Sequence, residues 1–285
     1  MNDSLLAGLK NYGYIYHFEM LLNSFEPEPL TLMLLRCLLF TLFTGACQAD
    51  TIRIRSDEWY PMNGDPNSKH PGYMIDLAKV ILEPVGHKVD YKVMPWKRAL
   101  AETRAGNSNC VVGAIKNEAP DFLYPKIHWG VDQAAIYVIK NEGEKDHWRY
   151  DGKLSSLIKR KTGVILGYFY GDELDVYFKQ NSGGAFEFVS ADRPLRQNIR
   201  KLLSGRINGV IETIPVMDAQ LKQLGLAKKI IFSSSVGKRS LLYIACGSGN
   251  KNNQKYIDLI DRAMPGLRKS GKLQQILMPY GLSLW

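Results

Sequence analysis

The sequence predicts an α/β protein of two lobes, each a mainly parallel sheet flanked by helices. The order β-α-β-α-β occurs twice, over residues 51–115 and again over residues 163–212. Connections of that length between strands imply right-handed crossovers and parallel pairing. Two further strand-like runs, residues 133–140 and 240–247, bracket the second occurrence, as if the chain leaves one lobe by the first and returns by the second.

In the first unit TIRIRS (51–56) is rich in β-branched residues. Helical spacing follows at Met74, Leu77, Ala78, Ile81, Leu82 and Val85, closed by Gly86. Strand alternation returns in HKVDYKVM (87–94), Pro95 opens a helix through Trp96, Ala99 and Leu100 with Gly106 beyond its end, and CVVGAI (110–115) reads as a buried strand. The second unit runs through GVILGYF (163–169), a helix near residues 173–180, and FEFVS (186–190). A helix capped by Asp192, with Leu195, Ile199, Leu202 and Leu203 on one face and Gly205 past its end, leads to INGVIE (207–212). The tail carries helical faces at Tyr256, Ile257, Ile260, Ala263 and Met264, then Leu273, Ile276 and Leu277. The first lobe is therefore expected to be discontinuous, residues 51–139 and 240–285, and the second to span residues 140–239.

With 285 residues, 45% of them hydrophobic, the chain can bury one large core or two ordinary ones, which excludes disorder, a coiled coil and a collagen. Residues 33–50 read MLLRCLLFTLFTGACQAD: one Arg36, an apolar run, then small residues. That is the layout of a secretory signal peptide cleaved after Ala49, which puts the remainder in an oxidising compartment outside the cytoplasm. Its uncharged stretch is too short to cross a bilayer. Thr44 stands where a lipidation signal at Cys47 wants an aliphatic residue. Residues 1–32 carry Asp3, Glu19, Glu26 and Glu28, wrong for the start of a signal, and are read as an upstream extension with initiation at Met33. Cleavage removes Lys10, Arg36 and those four acids, so the net charge rises from +9 to +11, favouring solubility and anionic ligands or surfaces. Cys110 and Cys246 are read as two buried free thiols, since a bridge needs neighbouring strands.

Ligands of open parallel sheets bind beyond the carboxyl ends of the strands. Those ends place Asp57, Trp59, Tyr60, Trp96, Arg98, Lys116, Tyr168, Tyr170 and Glu212 as candidate ligand-binding residues. In a rim strand Tyr168 and Tyr170 point one way and Phe169 the other. No catalytic residue is expected, because no nucleophile stands with a base. No metal or cofactor is expected either: His70, His87, His128 and His147 lack ligand spacing, and GLRKSGKL (266–273) lacks the final Ser or Thr of a phosphate loop.

Taken together, TIRIRSDEWYPMN, PGYMIDLAKVILEPVG, GNSNCVVGAI, GYFYG, LLSGRINGVIE and LRKSGKLQQILMPYGL make residues 51–285 resemble the extracellular solute-binding proteins of family 3, the periplasmic receptors of bacterial polar amino-acid ABC transporters. The resemblance implies a type II periplasmic-binding-protein-like fold with a hinge of two crossover strands. It also implies a monomer that closes on a small polar ligand and docks to an inner-membrane ABC permease, with no nucleic-acid partner. Where the family carries an Arg for the ligand's carboxylate this chain reads Lys116, Asn117, Glu118, Ala119, and where it carries an Asp for the amine this chain has Thr213. Lys116 and Glu212 are the substitutes at hand for anion and cation. The same fold also admits a small dehydratase or lyase using Glu212 or Lys116 as acid or base, or a ligand-sensing partner of a membrane receptor.

Overall fold

A computed structural model of the chain describes residues 50–140, 148–181 and 184–285. The signal segment, its cleavage point and the upstream extension lie outside the described residues. Among the described residues no helix is long and apolar enough to cross a membrane.

Two five-stranded mixed sheets form, each with helices packed on it. In the first, β1 (Thr51–Ser56) lies parallel to both β2 (Lys88–Val93) and β3 (Cys110–Ala114). Alternation puts Ile52 and Ile54 of β1 wholly inside. Between β1 and β2 runs α1 (Tyr73–Leu82), which buries Met74, Leu77, Ala78, Ile81 and Leu82 along one face; each large apolar side chain so placed contributes about 1.5–3 kcal/mol. Gly86 ends this segment with φ 90°, a left-handed conformation suited to glycine. Helix α2 (Trp96–Arg104), opened by Pro95, leads into β3.

The chain next forms β4 (Gly130–Asp132) and, after Gln133, β5 (Ala134–Ile139). β4 pairs in the first sheet, β5 in the second. The crossing thus falls at Gln133, and residues 134–139, expected to close the first lobe, belong to the second sheet. Apolar pattern makes 133–140 strand-like without saying which sheet will take it. The short α3 (Leu154–Leu157) leads into β6 (Thr162–Ile165), followed by α4 (Asp172–Gln180), β7 (Phe186–Val189), α5 (Pro194–Leu203) and β8 (Gly209–Thr213). β6 ends earlier than expected, because Gly167 turns the chain at φ 95°, leaving Tyr168, Phe169 and Tyr170 outside any strand. Asp192 does not cap α5: Arg193 occupies the cap position with no side-chain bond, and the Asp192 carbonyl instead accepts from the Glu58 amide.

Helix α6 (Ile214–Leu224) and β9 (Ile230–Ser235), neither anticipated from the pattern, complete the second sheet before β10 (Ser240–Cys246) returns to the first. The strand orders are β2-β1-β3-β10-β4 and β7-β6-β8-β5-β9, so each lobe has three parallel strands with the strand from the other crossing laid antiparallel beside them. Helices α7 (Asn252–Lys269) and α8 (Lys272–Leu277) pack Tyr256, Ile257, Ile260, Met264 and Leu273 back on the first lobe. Cys110 and Cys246 sit opposite one another on β3 and β10 and are joined by a disulfide, not left as free thiols; antiparallel register supplies the neighbouring strands that such a bridge requires.

Candidate functional site

The carboxyl ends of β1, β3, β6 and β8 converge on a narrow cleft between the lobes, as the crossover rule requires. The cleft retains about 30 Å³ of space, room for a water or two. Four carboxylates line it, and each accepts a hydrogen bond from the opposite lobe. Asp57 follows β1, and its Oδ2 accepts from the Tyr168 hydroxyl at 2.8 Å. Glu118 follows the turn after β3; its Oε1 accepts from the Phe169 amide at 2.9 Å while its Oε2 accepts from Ile115 N. Asp132 ends β4 and accepts from Thr213 Oγ1 at 2.5 Å. From the second lobe Glu212, on β8, accepts from Trp59 Nε1 at 2.9 Å through Oε1, which also takes the Thr213 amide. Its Oε2 is buried without a partner.

Aromatic rings fill the space between these acids. Trp59 and Trp96 each meet Tyr168 edge-on, with centroids 6.1 and 6.2 Å apart, and Tyr168 stacks with Tyr170. Trp59 rests on Gly113, whose backbone has φ 81° and at which an added Cβ would stand 3.1 Å from the indole ring. A turn made by the Trp59 and Asn63 backbones holds the indole there, and Asn63 Nδ2 fixes the turn to the Asp57 carbonyl.

The acids are hard to ionise in these surroundings. Burial pushes Glu212 up to about 8 against the opposing bonds from Trp59 and Thr213. It pushes Glu118 to about 8 against the Ile115 and Phe169 amides, Asp57 to about 7 against Tyr168, and Asp132 to about 6 against Thr213. Burial likewise raises the Tyr168 and Tyr170 phenols well above their ordinary value. Removing water from a carboxylate is costly unless a charge or several donors replace it.

Of the residues expected at the site, the structure brings Asp57, Trp59, Trp96, Tyr168, Tyr170 and Glu212 to the cleft wall. Three others stand elsewhere. Lys116 sits at the tip of the turn closed by Glu118 N to Ile115 O, with its ammonium 5.0 Å from the Tyr243 ring centroid. Arg98 lies on the outer face of α2, beside Glu102 one turn on. Tyr60 is turned away by its own tight turn to pack on Tyr280. Phe169, expected to point away from the tyrosines, lines the cleft with them because no strand imposes alternation there. Glu118 and Asp132 were not anticipated: their carboxyls reach the cleft through a turn and a lobe crossing. No Lys, Arg or His stands among the described residues lining the cleft, and among the described residues no three His, Cys, Asp or Glu converge as metal ligands. Lys238 and Arg239, on the connection between β9 and β10, border an adjoining hollow of about 390 Å³ that shares Asp132, Ala134, Phe169 and Tyr170 with the cleft.

No protein-family model and no curated protein matches the chain. Solved structures do. An ancestral arginine-binding protein bound to arginine is 24% identical, covering 81% of this chain and 97% of its own, with a TM-score of 0.64. A histidine kinase sensor domain with similarity to periplasmic binding proteins is 16% identical over 82% of this chain and 96% of its own, TM-score 0.65. The ancestral amino acid-binding protein AncCDT-1, a precursor of cyclohexadienyl dehydratase, is 17% identical over 81% and 95%, TM-score 0.61. At these identities the likeness is one of fold: that of type II periplasmic binding proteins, shared by binding proteins, a sensor domain and a dehydratase precursor.

Proposed function

We propose that the chain is a periplasmic solute-binding protein that captures a small polar ligand between its lobes and delivers it to an inner-membrane ABC permease. The observation that carries this reading is that every carboxylate in the cleft bonds to the opposite lobe. Opening the lobes frees all four at once, and a ligand that satisfies them favours closure by its differential affinity for the closed state. The fold is that of arginine- and glutamine-bound ancestral proteins, and the disulfide suits an oxidising compartment. A thermal-shift screen of amino acids, amines, small peptides and organic anions tests the proposal. A ligand at about 100 times its dissociation constant is expected to add roughly 2.7 kcal/mol of apparent stability; no shift from any class would end the capture reading.

A second reading is favoured by one specific observation. Glu118 and Glu212, each raised to about 8, hold protons near neutral pH, as general acids do. A lyase or dehydratase on this fold would therefore use Glu118 or Glu212, not the outlying Lys116. Turnover of a bound compound followed by mass spectrometry, and lost in Glu212→Gln, distinguishes it from capture without chemistry.

A further inference from the structure

Given capture between the lobes, on which this rests, we infer that the cleft takes an organic cation without a carboxylate, a compact amine or guanidine, and rejects α-amino acids. Among the described residues four acids and no basic side chain line it; a bound cation draws off the protons these buried acids keep and so gains charge partners, whereas a bound carboxylate gains none. One acid points to the position directly. Glu212, 3% exposed, spends Oε1 on Trp59 and Thr213, while Oε2 is enclosed in the wall without a donor. An oxygen so placed is left holding the acid's own proton, and an ammonium or guanidinium N–H displaces that proton with a charge-assisted bond.

The rings favour the same ligand. Trp59, Trp96 and Tyr168 line the same cleft, and aromatic faces attract cations, more strongly where water is absent. The unpaired donor in the wall, Trp96 Nε1, is neutral; a carboxylate needs a positive charge or several donors together. Lys116 cannot serve, since its ammonium lies over Tyr124 and Tyr243 on the turn's outer side. Lys238 and Arg239 border the adjoining hollow, which shares Asp132, Ala134, Phe169 and Tyr170 with the cleft, and do not line the cleft itself. A metal ion is disfavoured as the cation because no three described acids converge on one point. With about 30 Å³ free, the ligand enters by parting the lobes and replaces Trp59 or Tyr168 as partner to Glu212 or Asp57.

Matched pairs differing only in the carboxylate provide the test. Protein stripped of ligand by unfolding and refolding, with its disulfide intact, is titrated calorimetrically with agmatine against arginine and cadaverine against lysine. The decarboxylated member of at least one pair is expected to bind tighter by about tenfold or more, since an uncompensated buried carboxylate is strongly penalised. Glu212→Gln keeps the Oε1 acceptor but cannot pair a charge, and should weaken amine binding about tenfold, while Lys116→Ala leaves it unchanged. Asp57→Asn, expected to weaken it similarly, serves should Glu212→Gln fail to melt cooperatively. Equal or tighter binding of arginine or lysine, or binding confined to neutral or anionic compounds, overturns the cation inference and leaves capture standing. Full affinity in the acid variants does the same. If no compound of any class binds, capture itself falls.

Discussion

Glu212 has a carboxyl raised to about 8 by burial, and an unfolded chain releases that proton near 4.5. Between those values the folded state binds more protons, so the stability this group contributes is full below about pH 4.5 and is lost as pH rises through about 8. Glu118, Asp57 and Asp132, raised to about 8, 7 and 6, act in the same sense. Asp50 and Asp121, held low by Lys255 and Arg104, act oppositely and only below their ordinary 3.8. The melting temperature of ligand-free protein should therefore fall from about pH 5 to about pH 8, and fall less in Glu212→Gln, whose amide does not ionise. Equal slopes in the two proteins, followed by circular dichroism, would mean that Glu212 is ionised throughout. Nothing in the sequence around Glu212 foretells this. Position at a strand's carboxyl end was legible, but the Trp59 indole that meets it is 153 residues away.

At the level of elements, strands and helices whose burial alternates or recurs every three to four residues were legible: β1, α1, β2, α2, β3, α5 and α7 follow directly from their apolar spacing. Elements that escaped lack such a signature. β9 ends in three serines, and α6 begins at Ile214, directly after β8, with no intervening turn to announce it. The Lys116 error is of the same kind: a turn returns Glu118, not Lys116, to the cleft, and turn geometry is not written in hydrophobicity. Gly113 on β3 shows an element shaped for its neighbour, and this can be measured. Gly106 and Gly113 have similar φ, 80° and 81°, but a Cβ at Gly106 meets nothing within 4 Å whereas at Gly113 it meets Trp59. Ala at either position should cost about 1–2 kcal/mol of backbone strain. Gly113→Ala should cost more, shift Trp59 fluorescence and weaken ligand binding, because the displaced indole withdraws its N–H from Glu212. Equal losses in denaturant unfolding with unchanged fluorescence would show that β3 tolerates the ring's movement.

At the scale of the whole molecule the two lobes meet around a small cleft through hydrogen bonds, ion pairs and the contacts of Trp59 and Trp96 with Tyr168. The disulfide, linking residues 136 apart in sequence, encloses the entire second lobe within one covalent loop, yet lies within the first sheet and leaves the lobes free to part. On the cleft's outer side Glu58, beyond β1, reaches across to Arg193 at 2.7 Å and Arg196 at 3.6 Å, while its amide donates to the Asp192 carbonyl. This clasp joins the lobes without touching the inner acids. Arg193 is half exposed, 51%, so the attraction is screened by salt in a way that the enclosed Trp59–Glu212 bond is not. Raising salt from about 50 mM, with a screening length near 14 Å, to about 500 mM, near 4 Å, should therefore loosen the clasp and shift ligand-free protein toward open lobes. Small-angle scattering reads that shift as a larger radius of gyration. Glu58→Gln, which leaves the Asp65–Arg193 pair at 3.7 Å, should show part of the enlarged radius already at low salt and respond less to more, and saturating ligand should restore the compact value in both proteins by holding the inner acids. A radius independent of salt and of Glu58 would leave closure to the cleft alone.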